Sequence, residues 1–203
     1  HGVRARHQPA DTARDAGVAI LEVAQRFLDL SEVKPNNAWS IPAKSDELLA
    51  LLLATGWQPG WPYCMAFVEA CVGTAYANLG ASPAVLKLIR TRFTPSVVQS
   101  WRNCQPRSLE TTAPPGSVFF MEKATTGLGH AGITILSGAS TFCSIEGNTS
   151  PGVVRTSKDR EGDGIFLKIR PLQVGLRSSA LWIRGFLHPM SSDQVEQLAE
   201  AAR

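Results

Sequence analysis

The sequence is poor in cysteine and histidine, with four of each among 203 residues. The cysteines at positions 64, 71, 104 and 143 are too few and too widely spaced for a disulfide scaffold, and no Cys-x-x-Cys pair is present. No two histidines or cysteines have the short spacing of metal ligands, so we expect neither a metal nor a cofactor. The remaining question is whether one of the thiols has a catalytic role.

Long apolar runs and dense basic runs are also missing. The longest apolar stretches, such as residues 48–54, are far shorter than the ~18 residues that suggest a membrane-spanning helix. The net charge is only +3, and the basic residues are scattered. We therefore expect no membrane anchor and no nucleic-acid partner. Residues 1–15 lack the apolar segment and cleavage site of a signal peptide, so export would need a removed leader or another route.

The length and the 44% hydrophobic content predict one domain that can bury a core. We expect a flexible N-terminal tail over residues 1–15 and a single domain over residues 16–190. The remaining residues, 191–203, form a C-terminal tail. A short helix is possible in that tail because Asp193 and Glu196 have the spacing of a capping box.

Hydrophobic periodicity predicts helices in the first half of the chain and strands in the second. Residues 31–45 have the turn chemistry of a loop, and Ser45 or Asp46 is expected to cap the helix that follows. An order of helices followed by strands favours an α+β fold with a five- to six-stranded antiparallel sheet. The predicted helices are 16–30, 46–55, 62–80, 83–89 and 95–102, and the predicted strands are 117–121, 130–136, 141–146, 153–156, 165–169 and 181–187.

Cys64 follows Pro62 by two residues, which predicts a position in the first turn of a helix. Unpaired N–H groups and the positive end of the helix dipole favour a thiolate there. Cys71 lies two turns further along and is expected in the core. Since a lone cysteine is most often a small buried hydrophobe, a role for Cys64 depends on its partners.

His130 is the histidine best placed to serve that thiol. It lies between glycines at the start of a strong strand, and a thiolate nucleophile needs such a proton carrier. Glu146 and Asn148 end the following strand and supply the groups that orient an imidazole. If the two strands pair as a hairpin through residues 137–140, His130 and Glu146 lie side by side.

Four segments together resemble a known family, and the resemblance covers roughly residues 16–188. They read Pro-Tyr-Cys-Met-Ala-Phe-Val at 62–68, Pro-Gly-Ser-Val at 115–118, Gly-His-Ala-Gly-Ile at 129–133 and Ile-Glu-Gly-Asn at 145–148. In this order they are similar to the CHAP amidohydrolase/peptidase superfamily, a papain-like group of peptidoglycan hydrolases in phage lysins and bacterial wall-remodelling enzymes. The resemblance implies a papain-like fold, with Cys64 as nucleophile, His130 as base and Glu146 as orienter, and Asn148 nearby.

The residues before the nucleophile differ from the family in one place and resemble it in another. The family commonly has Trp directly before the nucleophile, where this chain has Tyr63. Gln58 lies six residues before Cys64, the separation at which papain-like proteases place an oxyanion-hole glutamine. Because prolines and a glycine intervene, an exposed loop side chain is the alternative interpretation. Some family members bind calcium, but residues 159–164 lack the pattern of an EF-hand loop and are interpreted as a turn.

Substrate contacts are expected from two further groups of residues. Trp57 and Trp61 have flat rings suited to glycans or a peptide stem, with ordinary packing as the alternative. Glu32 and Asn36 belong to a Glu-x-Lys-x-Asn stretch similar to one in related wall hydrolases, and they either line a cleft or form a solvated loop.

The resulting hypothesis is a monomeric peptidoglycan hydrolase that cleaves an amide bond of the bacterial cell wall. The bond would be that of an N-acetylmuramoyl-L-alanine amidase or of a stem endopeptidase, and the protein would reach the cell wall or periplasm. Two alternatives stay open. One is a cysteine-dependent transamidase, deamidase or toxin protease that acts on protein. The other is an inactive wall-binding or virion-structural module.

Overall fold

Among the residues that the structure describes, five helices lie in the first half of the chain and a sixth lies near the C-terminus. The structure is a computed structural model that describes residues 12–33, 38–104, 113–123, 126–152, 164–173 and 181–201. None of the helices in these ranges is long and apolar enough to cross a membrane. The helices are α1 (Ala13–Arg26), α2 (Pro42–Ala54), α3 (Cys64–Asn78), α4 (Pro83–Arg92), α5 (Val97–Asn103) and α6 (Ser192–Ala201).

The starts of three helices differ from the sequence predictions. Helix α1 begins inside the predicted tail, where Thr12 and Asp15 form a reciprocal capping box. The predicted caps of α2 are wrong: this helix begins with Pro42, and the Ser45 hydroxyl accepts from the Trp39 backbone N–H at 2.8 Å instead. Helix α3 begins at Cys64, so Pro62 precedes the first turn rather than lying in it.

Within the described ranges, seven antiparallel strands form one sheet in the order β2-β1-β6-β5-β4-β3-β7. The α+β class is therefore confirmed, but the predicted count of five to six strands is wrong. Part of the predicted loop 31–45 contributes two strands, and the predicted strand 153–156 lies outside the described residues. The strands are β1 (Leu30–Val33), β2 (Ala38–Trp39), β3 (Val118–Lys123), β4 (Leu128–Ser137), β5 (Thr141–Thr149), β6 (Gly164–Pro171) and β7 (Trp182–Leu187).

Helix α3 is the central element of the core. It packs against α1 on one side and against β4 and β5 on the other. Phe67 is fully buried between these layers, in edge contact with Phe27 at 6.5 Å between ring centroids. A smaller apolar cluster that includes Phe119, Phe142 and Phe186 completes the packing around the sheet. This arrangement holds the first turn of α3 over the β4–β5 hairpin.

Candidate active site

The first residue of α3 is Cys64, a free thiol that is 6% exposed. The N-cap residue Tyr63 makes no side-chain cap, and the first helical hydrogen bond runs from Phe67 N–H to the Tyr63 carbonyl at 2.8 Å. The N–H groups of residues 64–66 therefore have no acceptor within the helix. They remain available to a negative charge that develops beside the thiol.

His130 on β4 faces this thiol. Its ring lies close enough to the Cys64 thiol to be influenced by it, and its Nε2 lies 2.8 Å from Oε2 of Glu146. The side chain keeps 12% of its surface exposed. Burial disfavours the charged ring, but the hydrogen bonds with Cys64 and Glu146 outweigh burial and raise the pKa of His130 to about 9.

Glu146 on β5 is completely buried and is held by three side chains. Arg170 donates from Nε to Oε1 at 2.9 Å and from its terminal nitrogen to Oε2 at 2.5 Å. The Ser144 hydroxyl donates to Oε1 at 2.7 Å. Burial alone would keep the carboxyl neutral, but the bonds from Arg170 and His130 hold the pKa of Glu146 well below its ordinary range.

The local fold of the hairpin explains why these groups meet. Residues 133–137 of β4 pair with residues 142–145 of β5, as the sequence predicts, and Gly138 closes the turn by donating to the Thr141 carbonyl at 2.8 Å. Gly132 lies against Glu146, because a Cβ atom there would stand 2.9 Å from Glu146 Cγ. The absence of a side chain at Gly132 leaves room for the carboxylate.

Sequence reasoning missed Arg170. The residue lies on β6 opposite Phe142, and only 6% of it is exposed. A signal was present, because Lys168 and Arg170 are two residues apart in an apolar strand and so share one face. Both are buried, and Lys168 donates to the Gly152 carbonyl at 2.8 Å. Two cations on one strand face predict buried acceptors, although not which ones.

Tyr63 lies directly before Cys64 and beside two other predicted residues, Glu32 and Asn148. The phenol is 2% exposed, and its oxygen accepts from Trp39 Nε1 at 3.3 Å. The Glu32 side chain and the backbone of Asn148 lie close enough to influence the phenol. Burial and the Glu32 charge raise the pKa of Tyr63 far above its ordinary value. Asn148 adopts the left-handed backbone, with φ 57°, where the β5 register shifts.

The other predicted contact residues lie in the loop before α3. Trp57 is 3% exposed and packs edge-on to Tyr63 at 6.2 Å, whereas Trp61 is 45% exposed. Trp57 Nε1 donates to the Trp61 carbonyl at 2.9 Å. Gln58 is exposed, and its carbonyl accepts from Trp61 N–H at 3.0 Å. Trp61 is thus the predicted aromatic residue that offers a ring face to a ligand, while Asn36 lies outside the described residues.

The site has the groups of a nucleophile with a base. Over the described ranges, no group of three His, Cys, Asp or Glu side chains could hold a metal ion. Residues 159–163 of the predicted acidic turn lie outside those ranges. The thiol of Cys64, the imidazole of His130 and the ionised carboxylate of Glu146 follow one another in space. This order of groups is the one that activates a cysteine for attack on a carbonyl. Comparisons with known proteins found no matching family model, no matching curated protein and no matching solved structure.

Proposed function

We propose that the protein is a papain-like, cysteine-dependent amidohydrolase that cleaves an amide bond of bacterial peptidoglycan. The observation that carries this proposal is the series Cys64, His130 and Glu146, in which His130 lies beside the Cys64 thiol and is hydrogen-bonded to Glu146 at 2.8 Å. Each member comes from a different element, and the thiol lies at an uncapped helix start. The bond is that of an N-acetylmuramoyl-L-alanine amidase or of a peptide-stem endopeptidase.

In the first step, the proton of the Cys64 thiol passes to His130, whose raised pKa lets it keep that proton as an imidazolium, and the sulfur attacks the amide carbonyl carbon. The C–N bond remains intact while the carbonyl oxygen gains the negative charge. The N–H groups at the start of α3 stabilise this oxyanion, because they have no acceptor within the helix. The imidazolium lies beside the tetrahedral intermediate.

In the second step, His130 donates its proton to the leaving nitrogen, and the C–N bond breaks. An amine leaves, and the acyl group remains on Cys64 as a thioester. Water then gives a proton to His130 and attacks the thioester carbonyl. Collapse of this second intermediate releases a carboxylic acid and returns the proton to the Cys64 sulfur, so the overall change is the addition of one water.

Glu146 and Arg170 orient the base without taking its proton. Glu146 fixes His130 through Nε2, which leaves Nδ1 as the ring nitrogen that can exchange a proton with the thiol. Arg170 keeps the carboxylate ionised, as the lowered pKa of Glu146 indicates. A carboxylate that stays charged stabilises the imidazolium during both proton transfers.

Peptidoglycan is proposed as the substrate for three reasons. The four ordered motifs resemble a family of wall hydrolases. The exposed ring of Trp61 lies three residues before the nucleophile and suits a glycan or stem contact. A net charge of +3 suits an anionic wall. By the same reasoning, the protein acts at the cell wall or in the periplasm.

Digestion of purified sacculi tests this function. Wild-type protein should release soluble fragments whose masses show the addition of water at one amide bond, whereas Cys64→Ala should release none. Cys143→Ser is the matched control, because it removes a different, partly exposed thiol and should keep the activity. Equal release by wild type and Cys64→Ala would contradict the proposal. A product mass that shows transfer to an amine would instead identify a transamidase.

A further inference from the structure

A groove runs between α2, α3 and α4, apart from the residues of the candidate active site. It holds about 570 Å³ of space, including its open mouth. Aliphatic side chains line two of its walls, and small residues line the third. A narrow alkyl chain therefore fits between them. Leu51 comes from α2, Leu86 and Ile89 from α4, and Ala70, Gly73 and Ala77 from α3.

One carboxylate lines this apolar groove. Glu69 on α3 is 7% exposed and makes no hydrogen bond or ion pair with any residue that the structure describes. Burial raises the pKa of Glu69 to about 7, and the positive charge of Arg90 opposes that rise. Arg90 is not within ion-pair distance of the carboxylate. A buried carboxylate without a partner is costly, and a bound cation would remove that cost.

The geometry points to a binding site for a primary ammonium group on an alkyl chain, with Glu69 as its counter-ion. The methylene groups would lie along the aliphatic walls, and the ammonium would reach the carboxylate. Arg90 is exposed at the groove and would favour a ligand that carries an anionic or neutral polar group at its other end. A lysine side chain of a peptide and a free alkylamine share this chemistry.

The site is separate from the thiol chemistry. Glu69 lies five residues after Cys64 on the same helix, about 7.5 Å along its axis. None of the groove residues belongs to the series of Cys64, His130 and Glu146. Binding of the ammonium therefore does not depend on whether the protein is a hydrolase.

Gly73 allows the groove to be filled without disturbing the rest of the fold. A Cβ atom built on Gly73 would meet nothing within 4 Å. Gly73→Ala should leave the groove open and Gly73→Leu should occupy it. Comparison of the two variants therefore distinguishes loss of binding because the groove is filled from loss of binding because the helix is disrupted.

The full chain is titrated with two ammonium probes, n-pentylammonium and Nα-acetyl-lysine N-methylamide, and with n-pentanol as a neutral isostere. Binding is measured from the changes in amide chemical shifts. We expect saturable binding of at least one ammonium probe, about tenfold or more tighter than that of pentanol. Glu69→Gln should weaken it by a similar factor. Gly73→Leu should abolish it, whereas Gly73→Ala and Cys64→Ala should retain it. The tighter ammonium probe distinguishes a peptide lysine from a free amine.

Three results would overturn the proposal. These are no saturable binding of either ammonium probe, equal binding of pentanol, and undiminished ammonium binding in Gly73→Leu. If Glu69→Gln does not fold, the comparison of Gly73→Leu with Gly73→Ala decides the matter. Loss of sacculus digestion in Cys64→Ala has no bearing on this test, so the two proposals fail independently.

Discussion

Arg170 determines which residue of the candidate site carries the proton. A buried Glu146 beside His130 alone could be neutral, with the proton shared between the two. The two bonds from Arg170 supply a compensating charge and favour the ionised carboxylate. His130 then holds the mobile proton, which in the proposed mechanism comes from the Cys64 thiol.

Replacement of Arg170 by methionine should therefore affect both stability and pH dependence. Glu146 would remain buried without the Arg170 guanidinium that pairs with both of its oxygens, so we expect the free energy of unfolding to fall by about 3–5 kcal/mol. The pKa of Glu146 should rise, and the acid limb of the activity profile should move to higher pH. Chemical denaturation and the pH dependence of kcat/KM measure the two effects.

Arg26→Met is the control for that experiment. Arg26 lies 2.9 Å from Glu47, and the two side chains are 44% and 43% exposed. Exposed pairs of this kind contribute about 0–1 kcal/mol, so little change is expected in stability or in the pH profile. Equal effects of the Arg170 and Arg26 substitutions would contradict the assignment of Arg170 to the site.

The β4–β5 hairpin is the element that holds His130 against Glu146. At Gly132, an added Cβ atom would lie 2.8 Å from the Ile145 carbonyl oxygen and 2.9 Å from Glu146 Cγ. At Gly147, it would lie 2.8 Å from Cβ of Phe67 on α3. The close approach of strand to strand and of helix to sheet therefore depends on these two glycines.

Gly132→Ala should push Glu146 out of its position beside His130. We expect a loss of about 1–3 kcal/mol in stability and a fall of about tenfold or more in kcat/KM. Gly138→Ala in the turn of the same hairpin is the control, because its Cβ atom would find its nearest neighbour, the Thr141 carbonyl oxygen, at 3.4 Å. Denaturation and steady-state kinetics of both variants test the expectation. Wild-type activity in the Gly132→Ala protein would contradict it.

Elements formed by local contacts were the ones that the sequence could predict. The hairpin, the start of α3 near Cys64 and the contact between His130 and Glu146 all follow from short-range spacing. Strands β1 and β2 were missed, because a strand of two residues has no periodicity and β1 is held by distant β6. Arg170 was missed for the same reason, since its partner Glu146 lies 24 residues away.

At the scale of the whole molecule, the candidate site lies where the helical and β halves meet. The thiol belongs to α3, whereas the base, the acid and the arginine come from β4, β5 and β6. Neither half contains the complete series. We therefore expect nucleophile activation and global stability to be linked through the protonation of His130.

That link predicts how stability changes with pH. Hydrogen bonds with Cys64 and Glu146 raise the pKa of His130 from 6.5 to about 9, against the effect of burial. A raised pKa means that the folded state binds the proton more tightly, so this contribution is present below pH 6.5 and is lost as pH rises through about 9. The free energy of unfolding should fall over that interval in wild type and fall less in His130→Gln. Parallel curves for the two proteins would contradict the linkage.

The measurement that tests the central claim most directly is the rate at which iodoacetamide alkylates each cysteine, followed by peptide mass spectrometry near neutral pH. An activated Cys64 should react rapidly, while Cys71, which is 0% exposed and has its pKa raised by burial, should be spared. His130→Gln should slow the labelling of Cys64 by about tenfold or more, because the thiolate loses its imidazolium partner. Slow labelling of Cys64 in the wild type, or equal rates in wild type and His130→Gln, would contradict the account.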